Sequence, residues 1–162
     1  MSAPNMSTTL TKIAAVVMAA SALSLIALPA QAGTCPAGKE TTDGQKPGAT
    51  AHKDVTEKLL GSIDLSKETV AVAGHHFRMR QLDIKPGGEV AWHSHGDRPA
   101  LIYVVSGSIT EYSSHCLVPI VHNAGELSVE QGGLSHWWKN TSNAPVVLIS
   151  SDIAKDPDEK GM

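Results

Sequence analysis

The sequence predicts an all-β domain, a sandwich or small barrel, and three observations carry that prediction. Short runs suited to strands recur over residues 77–84, 89–93, 101–105, 108–112, 117–121, 126–129, 135–139 and 146–153. Turn-forming residues punctuate them: Pro86-Gly87-Gly88, Gly96-Asp97, Ser106-Gly107, Asn123-Ala124-Gly125, Gln131-Gly132-Gly133 and Asn143-Ala144-Pro145. The spacing is short and nearly even, as expected when strands close on one another in a sandwich or barrel.

The ends of the chain read differently. Residues 1–32 hold the single cation Lys12 of a weak n-region, an apolar run over 13–28, Pro29 and the small-residue site Ala30-Gln31-Ala32. That is the pattern of a secretory signal peptide cut before Gly33, and it places the mature protein in the periplasm or outside the cell. The apolar run is short and rich in Ala and Ser, so no stable membrane insertion is expected after processing. Residues 33–61 read as an irregular N-terminal arm, with a short helical turn expected over 54–60. Ordered structure is expected over 62–154, and residues 155–162 form a polar tail that should fray.

About 130 residues remain after processing, enough for one domain with a modest core. The formal net charge of the whole chain is −3, and no basic face is available to meet phosphate, so no nucleic-acid partner is expected. Cys35 and Cys116 are the two cysteines. In an oxidising compartment they are expected to pair, closing a long loop worth about 4 kcal/mol in the chain-entropy view, the alternative being two unpaired thiols.

Chemistry concentrates on three histidines. His93 and His95 stand two apart, and on a strand such residues share a face. His136 follows a Gly-Gly turn within another predicted strand. Brought together across a barrel interior, three imidazoles without thiolates make a site for Fe, Zn, Cu, Ni or Mn with open positions. There is no Gly-x-Ser-x-Gly elbow, no phosphate-cradling loop and no Cys pair with zinc-finger spacing.

The surrounding spacing resembles the cupin superfamily, in particular small single-domain cupins of the quercetin-dioxygenase-like kind. Gly87 precedes His93 and His95 at the family's distance, and Gly107 closes the first motif, with Ala100 where a glutamate is usual. Gly125, Gly133, His136 and Asn140 keep the second motif, with Gln131 in place of its proline. The resemblance implies a double-stranded β-helix, or jelly-roll, cupin barrel with an irregular N-terminal arm. It also implies that His93, His95 and His136 hold a divalent transition metal, Fe2+ first, with Mn2+, Ni2+, Cu2+ or Zn2+ as alternatives. Pairing of two copies through barrel faces is a further implication.

Because Ala100 cannot coordinate, Glu111 is the best candidate for a replacement carboxylate as ligand or base; the alternative is a solvent-facing strand residue. Arg98 either clamps an anionic group of a ligand at the barrel mouth or pairs with Asp97. Strand parity turns Trp92 and Trp137 away from the site and Trp138 toward it. Tyr103 and Tyr112 are candidates for moving a proton, or core residues, while His75, His76, His115 and His122 are expected at the surface or barrel edge.

The resemblance and the ligand set together imply an oxidoreductase of the dioxygenase type acting on a small oxygenated or aromatic molecule. Two other readings stay open: a non-catalytic periplasmic carrier or sensor of metal or small ligand, and a metal-dependent lyase or isomerase.

Overall fold

Eight strands carry the domain in the computed structural model, which describes residues 33–155. The expected signal segment and nearly all of the polar tail lie outside the described residues. The strands are β1 (Lys53–Asp64), β2 (His75–Ser94), β3 (Ala100–Ser106), β4 (Ser108–Ser113), β5 (Ile120–Asn123), β6 (Leu127–Glu130), β7 (Ser135–Lys139) and β8 (Val146–Lys155). All pairings are antiparallel, in the order β5-β4-β7-β2-β8-β3-β6, with β1 added to β2. The result is the expected all-β, nearly closed barrel. A 3-10 turn over Leu65–Lys67 is the one helical element among the described residues, and none is long and apolar enough to cross a membrane.

Alternation explains the barrel's filling. On β3, Ala100, Ile102 and Val104 are buried while Leu101, Tyr103 and Val105 face out. Together with Leu82, Ile84, Val90, Ile109, Trp138, Val146 and Leu148, the inward set forms one apolar core.

Two expectations are corrected. Residues 54–60 are strand rather than a helical turn, because β1 pairs along β2 from Lys53↔Glu89 to Asp64↔His76, so regular structure begins at Lys53. The strand pairing supplies backbone partners that an isolated turn would lack. Second, the expected turn at Pro86-Gly87-Gly88 does not end a strand. β2 runs through it, pairing with β8 before it and with β7 after it. Gly87 has φ +75°, and a Cβ on Gly88 would lie 2.8 Å from the Lys85 carbonyl oxygen. A glycine pair therefore lets one strand bend around the barrel's corner.

Cys35 and Cys116 are joined as a disulfide, and the bridge fixes the segment before β1 to the loop after β4. Such a bond suits a non-reducing compartment.

Charge is also buried. Asp152 on β8 accepts from Arg78 Nε at 3.1 Å, Arg78 Nη2 at 3.0 Å and Arg80 Nη2 at 2.8 Å, all three residues being buried. Arg80 also donates to Glu57 Oε1 at 2.9 Å, which ties β1 to the barrel. Removing one partner of such a set strands the others' charge in the interior. Asp152→Ala is therefore expected to cost about 4 kcal/mol in urea unfolding, with Asp152→Asn losing less.

Candidate metal centre

His93, His95 and His136 are brought together by strand pairing. His93 on β2 is the cross-strand partner of His136 on β7, and His95 follows just beyond the end of β2, where its N–H donates to the Leu134 carbonyl at 2.7 Å. The three Nε2 atoms lie 2.9, 3.1 and 3.2 Å from one another.

A fourth donor comes from a residue that the sequence reading missed. Glu130 at the end of β6 is 1% exposed, with Oε2 2.9 Å from His95 Nε2 and Oε1 3.5 Å from His136 Nε2. One donor atom from each of these four residues falls within 4.8 Å of all the others. Glu130 is the register partner of Ala100 across β3 and β6. Directly opposed residues share a face, so the carboxylate absent at Ala100 enters the same space from the neighbouring strand.

The outer ring nitrogens decide what the inner ones can do. His93 Nδ1 meets the Ala91 carbonyl at 2.8 Å, His95 Nδ1 meets the Arg98 carbonyl at 2.7 Å and His136 Nδ1 meets Glu111 Oε1 at 2.7 Å. Oxygens of carbonyls and carboxylates accept, so each Nδ1 carries the proton and each Nε2 is a bare lone pair. Burial, reinforced by the neighbouring imidazoles and Arg98, holds His93 down at about 2. Burial is also the first cause that lowers His95, to about 4. At neutral pH both rings are therefore neutral.

Glu130 is opposed by the same desolvation. Burial pushes its carboxyl up to about 8, and neither of its oxygens accepts a hydrogen bond. At neutral pH the metal-free carboxyl therefore keeps its proton, and that single O–H and the long contact from Trp138 Nε1 are the donors that face three lone pairs and a second carboxyl oxygen, a deficit that a cation between them would remove. Donor separations near 3 Å also suit a shell with metal–nitrogen bonds of about 2.1 Å. The residues present fit a divalent transition metal, and the three imidazoles with one carboxylate leave the metal's identity open.

Around this set lies a second ring of contacts. Glu111 is buried rather than solvent-facing, and is a partner of His136 rather than a fourth ligand. Burial pushes its carboxyl up, but hydrogen bonds from His122 at 2.8 Å and His136 at 2.7 Å outweigh that and hold it at about 2. His122, expected at the edge, is fully buried on β5. Its parity with the buried Ile120 was the available signal. Trp138 walls the site as parity predicts, with Nε1 3.4 Å from His136 Nε2, while Trp137 stacks on Tyr112 outside.

Arg98 reaches His95 through its backbone carbonyl, and its guanidinium lies 3.6 Å from Asp152 Oδ2. Asp97, its expected partner, instead pairs with Lys155. Tyr103 is not brought to the site: it points outward from β3, 45% exposed. The interior beside the donors is a cavity of about 10 Å³ lined by Leu82, Val90, Ile102, Leu148 and Ser150 with His93, Glu130, His136 and Trp138. That is room for about one water-sized ligand.

Glu130→Gln is expected to separate stability from binding. In the metal-free protein the unfolded chain ionises residue 130 from pH 4.5, whereas the folded chain keeps the proton to about pH 8, so stability falls as pH rises across that window. The glutamine variant should lose that slope and melt higher at neutral pH, yet bind Co2+ roughly ten- to a hundredfold more weakly. Glu130→Ala should bind as poorly, and adding Ala100→Glu should restore binding from the opposing strand. Thermal melts over pH 4–9 and Co2+ titrations monitored by absorbance check each outcome.

Residues 80–152 match the Cupin_2 family, described as a cupin domain. No curated protein matches the sequence. Among solved structures, a predicted oxalate decarboxylase from Thermotoga maritima aligns with TM-score 0.51 and 16% identity over 70% of this chain and 96% of its own. A double-stranded β-helix protein from Klebsiella pneumoniae gives 0.51 and 15% over 69% and 84%, and the Schizosaccharomyces pombe Cnp3 cupin domain gives 0.50 and 14% over 70% and 71%. At such identities the likeness concerns fold, and the family match over residues 80–152 spans the four residues that converge at the site. Residues 80–152 thus match a cupin domain on a barrel of the cupin fold, and they carry a histidine and glutamate cluster that could bind a divalent metal.

Proposed function

We propose that this is an exported metal-dependent oxidoreductase of the dioxygenase type, with His93, His95, His136 and Glu130 holding the metal and Fe2+ as its first candidate. The convergence of three imidazole nitrogens with a buried carboxyl whose oxygens accept no hydrogen bond carries this reading. A divalent transition metal would supply Lewis acidity there and, as iron, manganese or copper, redox chemistry with dioxygen. Glu111 fixes the His136 ring and its tautomer, and the Arg98 carbonyl does the same for His95. Leu82, Val90, Ile102, Leu148 and Trp138 keep bulk water out of the space beside the donors.

The small cavity narrows the substrate. A space of about 10 Å³ admits one oxygen-donor atom or a molecule near the size of water, so an aromatic ring cannot enter this interior as it stands. The reacting end of a small oxygenated molecule suits the site better. That same tight filling favours a second reading, a periplasmic metal-binding cupin that performs no turnover. Lyase or isomerase chemistry through Tyr103 or Tyr112 loses support, because Tyr103 faces outward and Tyr112 stacks on Trp137.

Protein recovered from the periplasm without chelators should carry near-stoichiometric transition metal, and a His93→Ala, His136→Ala variant should carry none. Oxygen uptake with a panel of small hydroxy and keto acids then separates the two readings. Uptake that follows metal content supports the enzyme, whereas bound metal with no uptake supports the binding module. Absence of metal from both proteins, even after reconstitution, overturns both.

A second copy is the partner we infer for the outer face. Met79, Leu101 and Val129 stand in register across β2, β8, β3 and β6, with Phe77 and Tyr103 beside them, each 40–53% exposed. They form an uncharged strip beside a groove of about 340 Å³, and a two-fold contact would cover that strip on both copies at once. Sedimentation should show a dimer that Leu101→Lys with Val129→Lys converts to monomer; a monomer at all concentrations would overturn the pairing.

A further inference from the structure

His122 is the one member of the relay behind His136 that is left incomplete. Its Nε2 faces Glu111 Oε2 at 2.8 Å and donates to that carboxylate. The other nitrogen, Nδ1, is then an acceptor, is fully buried, and has no hydrogen-bond partner. An acceptor in that position calls for a donor.

Gly33 occupies the adjoining space. It is buried with φ +86°, and a side chain there would meet both His122 Nδ1 and the Leu127 carbonyl oxygen at 3.0 Å. The Gly33 nitrogen is bonded to the same Cα, so it lies no more than about 5.5 Å from His122 Nδ1. Two acceptors therefore face one small volume beside the first residue expected after leader cleavage. The Cys35–Cys116 disulfide tethers the chain two residues further on. Between this segment and Glu111 lies a cavity of about 250 Å³, which gives the terminus room to settle.

We propose that leader cleavage before Gly33 creates a ligand for His122: the new α-ammonium docks between His122 Nδ1 and the Leu127 carbonyl, completing a relay through Glu111 to His136. This rests on the export reading above and on the metal reading for its effect at the centre. An ammonium brings three donors and a positive charge, whereas the peptide N–H of an uncleaved chain brings one donor and no charge. Its charge stands two hydrogen bonds from the buried Glu111 carboxylate. His122 and Gly33 are positioning residues here, acting on His136 through Glu111, and maturation sets the metal centre's second shell.

The experiment compares protein secreted from the full-length precursor with two otherwise identical forms, one retaining Ala32 and one acetylated on Gly33, all with the disulfide intact. N-terminal sequencing of the secreted protein should begin at Gly33. Its His122 Nδ1 should give a 15N resonance displaced toward a hydrogen-bonded nitrogen, and the other two forms should show the position of a bare acceptor. Co2+ affinity should fall roughly tenfold in those two forms, and the difference between forms should vanish in His122→Gln. Identical His122 resonances in all three forms, or a secreted chain that starts elsewhere, would overturn the proposal. Should Co2+ bind none of them, the metal reading fails, while the His122 resonance still decides the docking.

Discussion

Everything in this molecule is arranged around one electrostatic problem, the convergence of three bare imidazole nitrogens and a carboxyl group in an apolar interior. Each imidazole keeps its proton on Nδ1 and donates it to an outward acceptor, which leaves the Nε2 lone pairs facing one another at about 3 Å. Such a cluster does not hold itself together. It is held by strands: the β2–β7 ladder places His93 against His136, and the β3–β6 ladder brings Glu130 in beside them. The fold therefore maintains a geometry that its own side chains would relax by turning away, and a cation could offset its cost.

The second consequence concerns space. The barrel spends its interior on apolar packing, with the donors at one boundary and a buried Arg78–Arg80–Asp152 set at another. Little volume remains between them. Close filling beside the donors limits how far their side chains can turn, which keeps them near the positions that the strands set. The same filling leaves room beside the donors for small ligands only.

Much of this was legible in the sequence, and the parts that were not share a cause. The strand texture, the turn glycines and the motif spacing announced the barrel and put His93, His95 and His136 on inward faces, because those signals are local and periodic. Glu130 was hidden because its role depends on register: only when β6 lies beside β3 does it become the neighbour of Ala100. Its inward parity with Ser128 was visible, but nothing local distinguished it from a surface glutamate at a strand end. His122 and Glu111 became meaningful only as a pair across β4 and β5, and parity alone could not say that both were buried. The strand at 53–64 escaped for a related reason, since none of its residues is buried and its order comes from the ladder with β2.

Moving the carboxylate from one strand to the next also changes what it is attached to. A glutamate at position 100 would stand on β3, which is paired on both sides by β6 and β8, whereas Glu130 stands at the C-terminal end of β6, a four-residue strand paired on one side. Gly132 and Gly133 follow at positive φ, and two residues after them comes Ser135, the first residue of β7, with His136 next. Two of the four donors therefore hang on one glycine-rich turn. Motion of that turn would carry Glu130 and His136 together, so one stretch of chain supplies both a histidine of the cluster and the carboxylate that position 100 lacks. The remaining pair stands at the other end of this array, His93 near the end of β2 and His95 just beyond it. Metal binding in such an arrangement should order the turn between β6 and β7 more than any other part of the barrel, because that turn is where the fold itself contributes least.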